Sequence, residues 1–148
     1  MNVTESAPAL KDFRPFLGYS PEDYERAKSF YLDLGFAMNW ESDAKNVCEF
    51  DTGIGQRFLV SLHLGGDLRA KAGMLSLWVE NVDDWQQFLA PKKLEEKYPG
   101  VKVAEPTITE WGWKILYVWD PGGYLLHIGE PHSEANKAFF GNAAWLKE

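Results

Sequence analysis

Trp111-Gly112-Trp113-Lys114-Ile115-Leu116-Tyr117-Val118-Trp119-Asp120-Pro121-Gly122-Gly123-Tyr124-Leu125-Leu126-His127-Ile128-Gly129 reads as two strands around a tight turn. Seven residues rich in aromatic and β-branched side chains run from Trp113 to Trp119, the composition a pleated sheet favours. Asp120-Pro121-Gly122-Gly123 then turns the chain, with proline presetting one φ and glycine free to take a positive one. Side chains alternate across a strand. Trp113, Ile115, Tyr117 and Trp119 therefore share one face, with Lys114, Leu116 and Val118 on the other, and His127 shares its face with Leu125 and Gly129.

Working back from the hairpin, Val101–Thr107 reads as a further strand, and Met74–Glu80 alternates as the strand that opens this half of the chain. Between them, Val82-Asp83-Asp84-Trp85 opens a helix with Val82, Trp85, Phe88 and Leu89 on its apolar side. Pro91 breaks it, a second short turn follows over 92–98, and Pro99-Gly100 stops that. The first half has the same order. A short strand over 13–19 contains Pro15, which places it at an edge or a bulge. Ser20-Pro21-Glu22-Asp23 starts a helix: a side-chain oxygen for an orphan amide, a residue with no amide to lose, and two acids at the positive end of the dipole. Tyr24, Ala27, Phe30, Tyr31 and Leu34 recur at helical spacing, and Gly35 ends the helix as a left-handed cap. Strands follow at Phe36–Glu41, Val47–Asp51 and Arg57–Leu64, with Gly53-Ile54-Gly55 turning into the last.

The chain thus reads as strand-helix-strand-strand-strand twice, with a period of about 60 residues. The expected fold is α+β: two βαβββ modules whose curled mixed sheets surround a cleft, with a C-terminal helical tail. The expected boundaries are a loose leader over 1–11, one domain over 12–131 (modules at about 12–66 and 72–131) and the tail over 132–148. In the tail Ala135, Ala138, Phe139, Ala143 and Leu146 lie on a possible helical face. A module of that size buries its own sheet face poorly, so modules must pack on each other or on another chain.

Composition narrows the functions. A formal net charge of −7 disfavours nucleic acid, which needs a basic face, and favours cations weakly at long range. The N-terminus lacks the basic start and apolar run of a secretory signal, and no apolar stretch of about 18 residues spans a bilayer; the expected location is cytoplasmic. The single cysteine, Cys48, closes no internal disulfide and reads as a small buried hydrophobe. Aromatic residues are 15% of the chain and include seven tryptophans. Such side chains fill cores and line ligand cavities with equal ease, so composition does not choose between those uses.

Three motifs resemble the vicinal-oxygen-chelate superfamily, which includes glyoxalase I, extradiol dioxygenases and bleomycin-resistance proteins. They are the helix end Ser29-Phe30-Tyr31-Leu32-Asp33-Leu34-Gly35-Phe36, the strand-to-helix step Leu77-Trp78-Val79-Glu80-Asn81-Val82-Asp83-Asp84, and the hairpin quoted above with Glu110 before it. Together they span about residues 13–131. In members that hold a metal, four strand residues, two per module, point into the cleft and are typically His, Glu or Gln. By the resemblance those positions fall near Arg14 or Phe16, near Ser61 with His63 two residues on, at Met74, and at His127. His127 is a good ligand and His63 a possible one. Two imidazoles without a carboxylate do not hold a hard divalent metal tightly.

The resemblance is nearest to the metal-free bleomycin-resistance type, which sequesters a drug in a cleft between two chains. It implies a homodimeric binding protein for a small aromatic or heterocyclic molecule, an antibiotic among the options, with no cofactor, no metal and no catalytic residue. The wall residues it implies, combined with strand alternation, are Arg14, Phe16, Ser61, His63, Met74, Ser76, Trp78, Trp111, Trp113, Tyr117 and His127. Arg14 suits a carboxylate or phosphate on the ligand. The alternatives are a metal-dependent glyoxalase-like lyase or isomerase, or a dioxygenase, using His63 and His127, and a dimeric accessory domain that binds nothing small. Trp85 and Trp119 read as core packing, as do Phe30 and Tyr31. Glu49 reads as an ordinary exposed carboxylate near a strand end. Phe139, Phe140 and Trp145 either cover the cleft, dock on a partner chain or close the core.

Overall fold

The computed structural model describes Pro8 and residues 14–62 and 74–141. The expected leader apart from Pro8, the segment 63–73 with His63, and the end of the expected tail with Trp145 lie outside the described residues.

The first half runs β1 (Phe16–Gly18), α1 (Pro21–Asp33), β2 (Ala37–Glu41), β3 (Val47–Asp51) and β4 (Arg57–Ser61). These strands form one sheet in the order β1-β4-β3-β2, with β1 parallel to β4 and the other pairs antiparallel. Helix α1 begins where its cap residues place it: the Asp23 amide donates to Ser20 Oγ at 3.2 Å, and Pro21 occupies the first turn. Gly35, at φ +103°, takes the left-handed turn after the helix. Pro15 precedes an edge strand, where its missing amide costs no ladder bond, and its carbonyl accepts from the Leu59 amide at 2.8 Å.

The second half runs β5 (Met74–Trp78), α2 (Val82–Leu89), a 3-10 turn over Ala90–Lys92, α3 (Leu94–Lys97), β6 (Lys102–Val103), β7 (Thr107–Ile108), β8 (Trp113–Trp119) and β9 (Leu125–Pro131). Its sheet has the order β5-β9-β8-β6, with β7 also on β8. Asn81 caps α2 by accepting from the Asp84 amide at 3.0 Å. Helix α2 ends before Pro91 as expected. Phe88, expected on the buried side of α2, is instead exposed, packing on Trp85 and beneath the Lys92 ammonium. The strand expected over 101–107 is two pieces. Lys102 and Val103 face Trp119 and Val118, whereas Thr107 and Ile108 face Ile115 and Lys114, so one extra residue is inserted around Pro106. A proline cannot donate to the ladder, and a bulge accommodates it. Helix α4 (Glu134–Gly141) closes the described chain. No helix among the described residues is long and apolar enough to cross a membrane.

One hydrophobic core serves both halves, from Leu17, Tyr31 and Val60 in the first to Leu116, Val118, Leu126 and Ile128 in the second. Phe30 and Tyr31 are fully buried in it. A polar lock ties the halves together. Asp120, fully buried, accepts from the Tyr19 hydroxyl, from the Tyr31 hydroxyl at 2.7 Å, and from the Gly122 and Tyr124 amides at 2.9 and 2.8 Å. Burial raises its carboxyl pKa, outweighing the hydroxyls and amides that favour the charged form. The Gly18 amide in turn donates to the Tyr124 hydroxyl at 3.1 Å. Gly122 has to be glycine: a Cβ there would sit 2.6 Å from the Tyr19 ring.

Candidate functional site

Each sheet turns one face to the shared core and the other away from it. The outward face of the second sheet is built in rows, because its strands are in direct register. Met74, Leu125 and Trp119 form one row, Ser76, His127 and Tyr117 the next, and Trp78, Gly129 and Ile115 a third, with Trp113 beside Pro131 beyond. Gly129 leaves the third row low. A Cβ there would press on Ile115 and Trp113, both at 3.3 Å. The result is a hollow of about 160 Å³ lined by Ser76, Trp111, Trp113, Ile115, His127 and Gly129.

The middle row carries the polar chemistry. The side chains of Ser76, His127 and Tyr117 make no hydrogen bond to another described residue. The Tyr117 ring stands perpendicular to the imidazole at 4.9 Å between centres. Burial lowers the His127 pKa below its ordinary value, so the imidazole is neutral at pH 7 and has one donor and one acceptor nitrogen. Rings surround the row: Trp78 and Trp113 meet edge to face at 5.8 Å, and Phe140 of α4 packs against both. Trp119, expected in the core, lies on this outward face instead, half-exposed with the Lys102 ammonium over its ring. It is odd-numbered, like Trp113 and Tyr117, and alternation places it with them.

The outward face of the first sheet differs. Phe16 is exposed there, and Ser61 is fully buried at the end of β4. Glu49, expected as an ordinary exposed carboxylate, is only 3% exposed. It accepts from Arg14 at 2.5 Å and from the Asn39 amide at 2.9 Å, with Arg57 3.8 Å away. Burial alone would raise its pKa, but Asn39 and the two guanidiniums outweigh that and hold it below the usual carboxylate range. The signal in the sequence was the alternation of Val47, Glu49 and Asp51, which puts Glu49 in mid-strand.

The expected wall residues therefore fall into two groups. Met74, Ser76, Trp78, Trp111, Trp113, Tyr117 and His127 come together on the second sheet, while Arg14, Phe16 and Ser61 belong to the first. Sequence reasoning left Phe140 open among three roles, one of them covering the cleft, and missed Asn39 and Arg57 around Glu49.

The two sheets can be matched residue by residue. The Tyr19 amide donates to the Ser61 carbonyl at 2.8 Å, and the Val79 amide donates to the Gly129 carbonyl at 2.9 Å, each just before a helix cap. With Gly18 beside Ser61 and Trp78 beside Gly129, Leu59 becomes the counterpart of His127, Phe16 of Ser76, and Arg14 of Met74. Among the described residues, a single imidazole facing leucine, phenylalanine, serine and methionine positions does not fit a divalent cation. Among the described residues no group of three or more His, Cys, Asp or Glu side chains could hold one. Nor is there a nucleophile in Cys48, whose thiol burial pushes up to about 11.

Residues 16–128 match the Glyoxalase/Bleomycin resistance protein/Dioxygenase superfamily. The chain belongs to that superfamily. No curated protein matches the sequence. Solved structures of the superfamily's fold include the bleomycin resistance determinant encoded on transposon Tn5, at 20% identity and a TM-score of 0.64, covering 82% of this chain and 98% of that one. A bleomycin-binding protein complexed with bleomycin is similar at 19% identity and a TM-score of 0.60, over 83% of this chain and 100% of that one. Lactoylglutathione lyase from Agrobacterium tumefaciens is similar at 19% identity and a TM-score of 0.59, over 83% and 95%. At these identities the superfamily likeness concerns the fold.

Proposed function

We propose that this protein binds a small aromatic or heterocyclic molecule on the outward face of its second sheet and sequesters it without a metal or a covalent step. The observation that carries this reading is the row Ser76, His127 and Tyr117, polar and without a hydrogen bond to another described residue, set among the rings of Trp78, Trp111 and Trp113. Rings give area and stacking, about 1 kcal/mol per aromatic contact beyond burial. The middle row gives direction, since a neutral imidazole and two hydroxyls can donate and accept at a ring substituent. The likeness in fold to a bleomycin-binding protein supports the same reading. In this proposal the cleft is completed by a second copy of the chain. Phe16 (47%), Met74 (60%), Trp78 (38%) and Trp111 (60%) are exposed on the two outward faces, and large apolar patches of this kind mark surfaces that are covered in use.

The test is quenching of tryptophan fluorescence by a panel of aromatic and heterocyclic compounds, for the wild type and Trp78→Ala, alongside metal analysis before and after chelation. Saturable quenching that weakens in Trp78→Ala and survives chelation is expected. Stoichiometric metal whose removal abolishes binding would overturn the reading. Sedimentation equilibrium checks the dimer, with a monomer at micromolar concentration as the contrary result.

A further inference from the structure

Helix α4 lies beyond residues 16–128, the part of the chain that matches the superfamily, and it is fastened to the rim of the hollow. The Asn136 side-chain amide donates to the Trp111 and Gly112 carbonyls at 2.8 and 3.1 Å. The His132 and Ser133 amides donate to the Gly112 carbonyl at 2.7 and 3.0 Å. Ser133 caps the helix by accepting from the Asn136 amide at 3.1 Å. This close approach needs Gly112, at φ +85°: a Cβ there would lie 2.5 Å from Ser133 Oγ and 2.6 Å from Asn136 Nδ2. So fastened, α4 sets the Phe140 ring edge-on to Trp78 at 5.1 Å and to Trp113 at 5.0 Å.

We infer that α4 is the end wall of the ligand slot and that Phe140 stops a ligand ring from extending past Trp78 and Trp113. The inference rests on the binding reading above and adds a boundary to it. Three rings in mutual contact close the Trp78–Trp113 end of the outward face, so a ligand ring lying over Gly129 and His127 meets Phe140 if it extends that way. The hollow beside this end, about 160 Å³ on one chain, is floored by Ile115, His127 and Gly129. Met74, Leu125 and Trp119 carry the face on in the opposite direction, away from α4. A compact phenol-like molecule, its hydroxyl on the Ser76–His127–Tyr117 row, matches this shape.

The test compares 4-methylphenol with 2-naphthol by ligand-observed NMR titration against the wild type, Phe140→Ala and Asn136→Ala. Wild type is expected to prefer 4-methylphenol. Phe140→Ala should bind 2-naphthol about tenfold or more tighter than wild type does, with 4-methylphenol changed less than about threefold, the scale on which filled or emptied hydrophobic pockets discriminate. Asn136→Ala, which unfastens α4 without touching a ring, should shift the preference the same way and guards against a folding defect in the first variant. Equal affinity for both compounds in all three proteins overturns the end wall and leaves the binding reading standing. Binding of neither compound by wild type or Phe140→Ala overturns the end wall, and failure of the wider aromatic panel as well removes the binding reading with it.

Discussion

Tyr31→Phe removes one oxygen atom from the middle of the molecule, and its cost can be worked from the lock around Asp120. The Tyr31 hydroxyl is fully buried and donates to Asp120 Oδ2 at 2.7 Å, an oxygen it shares with the Tyr19 hydroxyl. A hydrogen bond to a charged group in such a place contributes about 1.5–3 kcal/mol. Phenylalanine keeps the ring contacts with Phe30, Phe36 and Phe58, so the loss belongs to the hydroxyl alone. Against a total stability of about 5–15 kcal/mol that is a large share. Asp120→Ala should cost about 4 kcal/mol or more, because it orphans two buried hydroxyls and the Tyr124 amide together. Asp120→Asn should cost less than the alanine, because the amide oxygen still serves the Gly122 and Tyr124 amides. Urea denaturation measures all three, with the slope unchanged and the midpoint lowered. Because Tyr19 and Tyr31 share one oxygen, Tyr19→Phe combined with Tyr31→Phe should depart from additivity by more than about 0.5 kcal/mol. A Tyr31→Phe midpoint within about 0.5 kcal/mol of wild type would refute the claim that this lock joins the halves.

Glu49→Gln should destabilise the fold by about 1–3 kcal/mol at pH 7; its carboxyl pKa is held low in the native state, so that contribution is full above the unfolded value near 4.5 and fades as pH falls through the folded one. Urea midpoints from pH 7 to 3 should therefore converge for wild type and Glu49→Gln at the acid end, and parallel curves would contradict the ion cluster. His127 has the opposite chemistry. Its native pKa is lowered by burial, so the unfolded chain binds more protons and stability declines as pH drops from about 6.5 to the folded value; His127→Gln should lack that decline in thermal melts between pH 7 and 5. Gly112→Ala should lower the melting temperature and expose Trp113, seen as a red-shifted tryptophan emission, because no Cβ fits between Ser133 and Asn136; an unshifted spectrum with unchanged stability would show that α4 is not fastened there.

What was legible in the sequence was local chemistry. Ser20, Pro21 and Gly35 bound α1 because each acts on its nearest backbone groups, and strand alternation grouped Met74, Ser76 and Trp78 on one strand and Trp113, Tyr117 and Trp119 on another; that these faces coincide with that of His127 came from the resemblance, because it depends on the register between strands. Pro106 went unread inside the strand expected over 101–107, and its accommodation, a one-residue insertion against β8, depends on the neighbour. Glu49 went unread because the burial of a mid-strand carboxylate is decided by Arg14 and Asn39, 35 and 10 residues away. Phe140 was open among three roles for the same reason. Its place is set by the Asn136 contact with the Trp111–Gly112 turn, 25 residues back in the chain. Phe88 was misplaced because helical period alone does not say how far the sheet extends beneath a helix.

The aromatic residues, undecided by composition, are divided by the structure according to what their polar edges can do. Tyr19, Tyr24, Tyr31, Tyr98 and Tyr124 are buried, and each hydroxyl has a partner: Asp120 for Tyr19 and Tyr31, Glu41 for Tyr24, Asp33 for Tyr98, and the Gly18 backbone for Tyr124. A hydroxyl that finds an acceptor turns a bulky ring into a strut, and the two halves are braced by such struts. The tryptophans are distributed otherwise. Trp85, Trp113 and Trp119 are partly buried, Trp85 against the core, and Trp40, Trp78 and Trp111 are exposed. Leaving that much indole in water forgoes roughly 25 cal/mol for each Å² not covered, a standing cost that folding this chain alone does not remove. In the proposed reading a ligand and a second chain cover this face, and the free energy withheld from folding is recovered there.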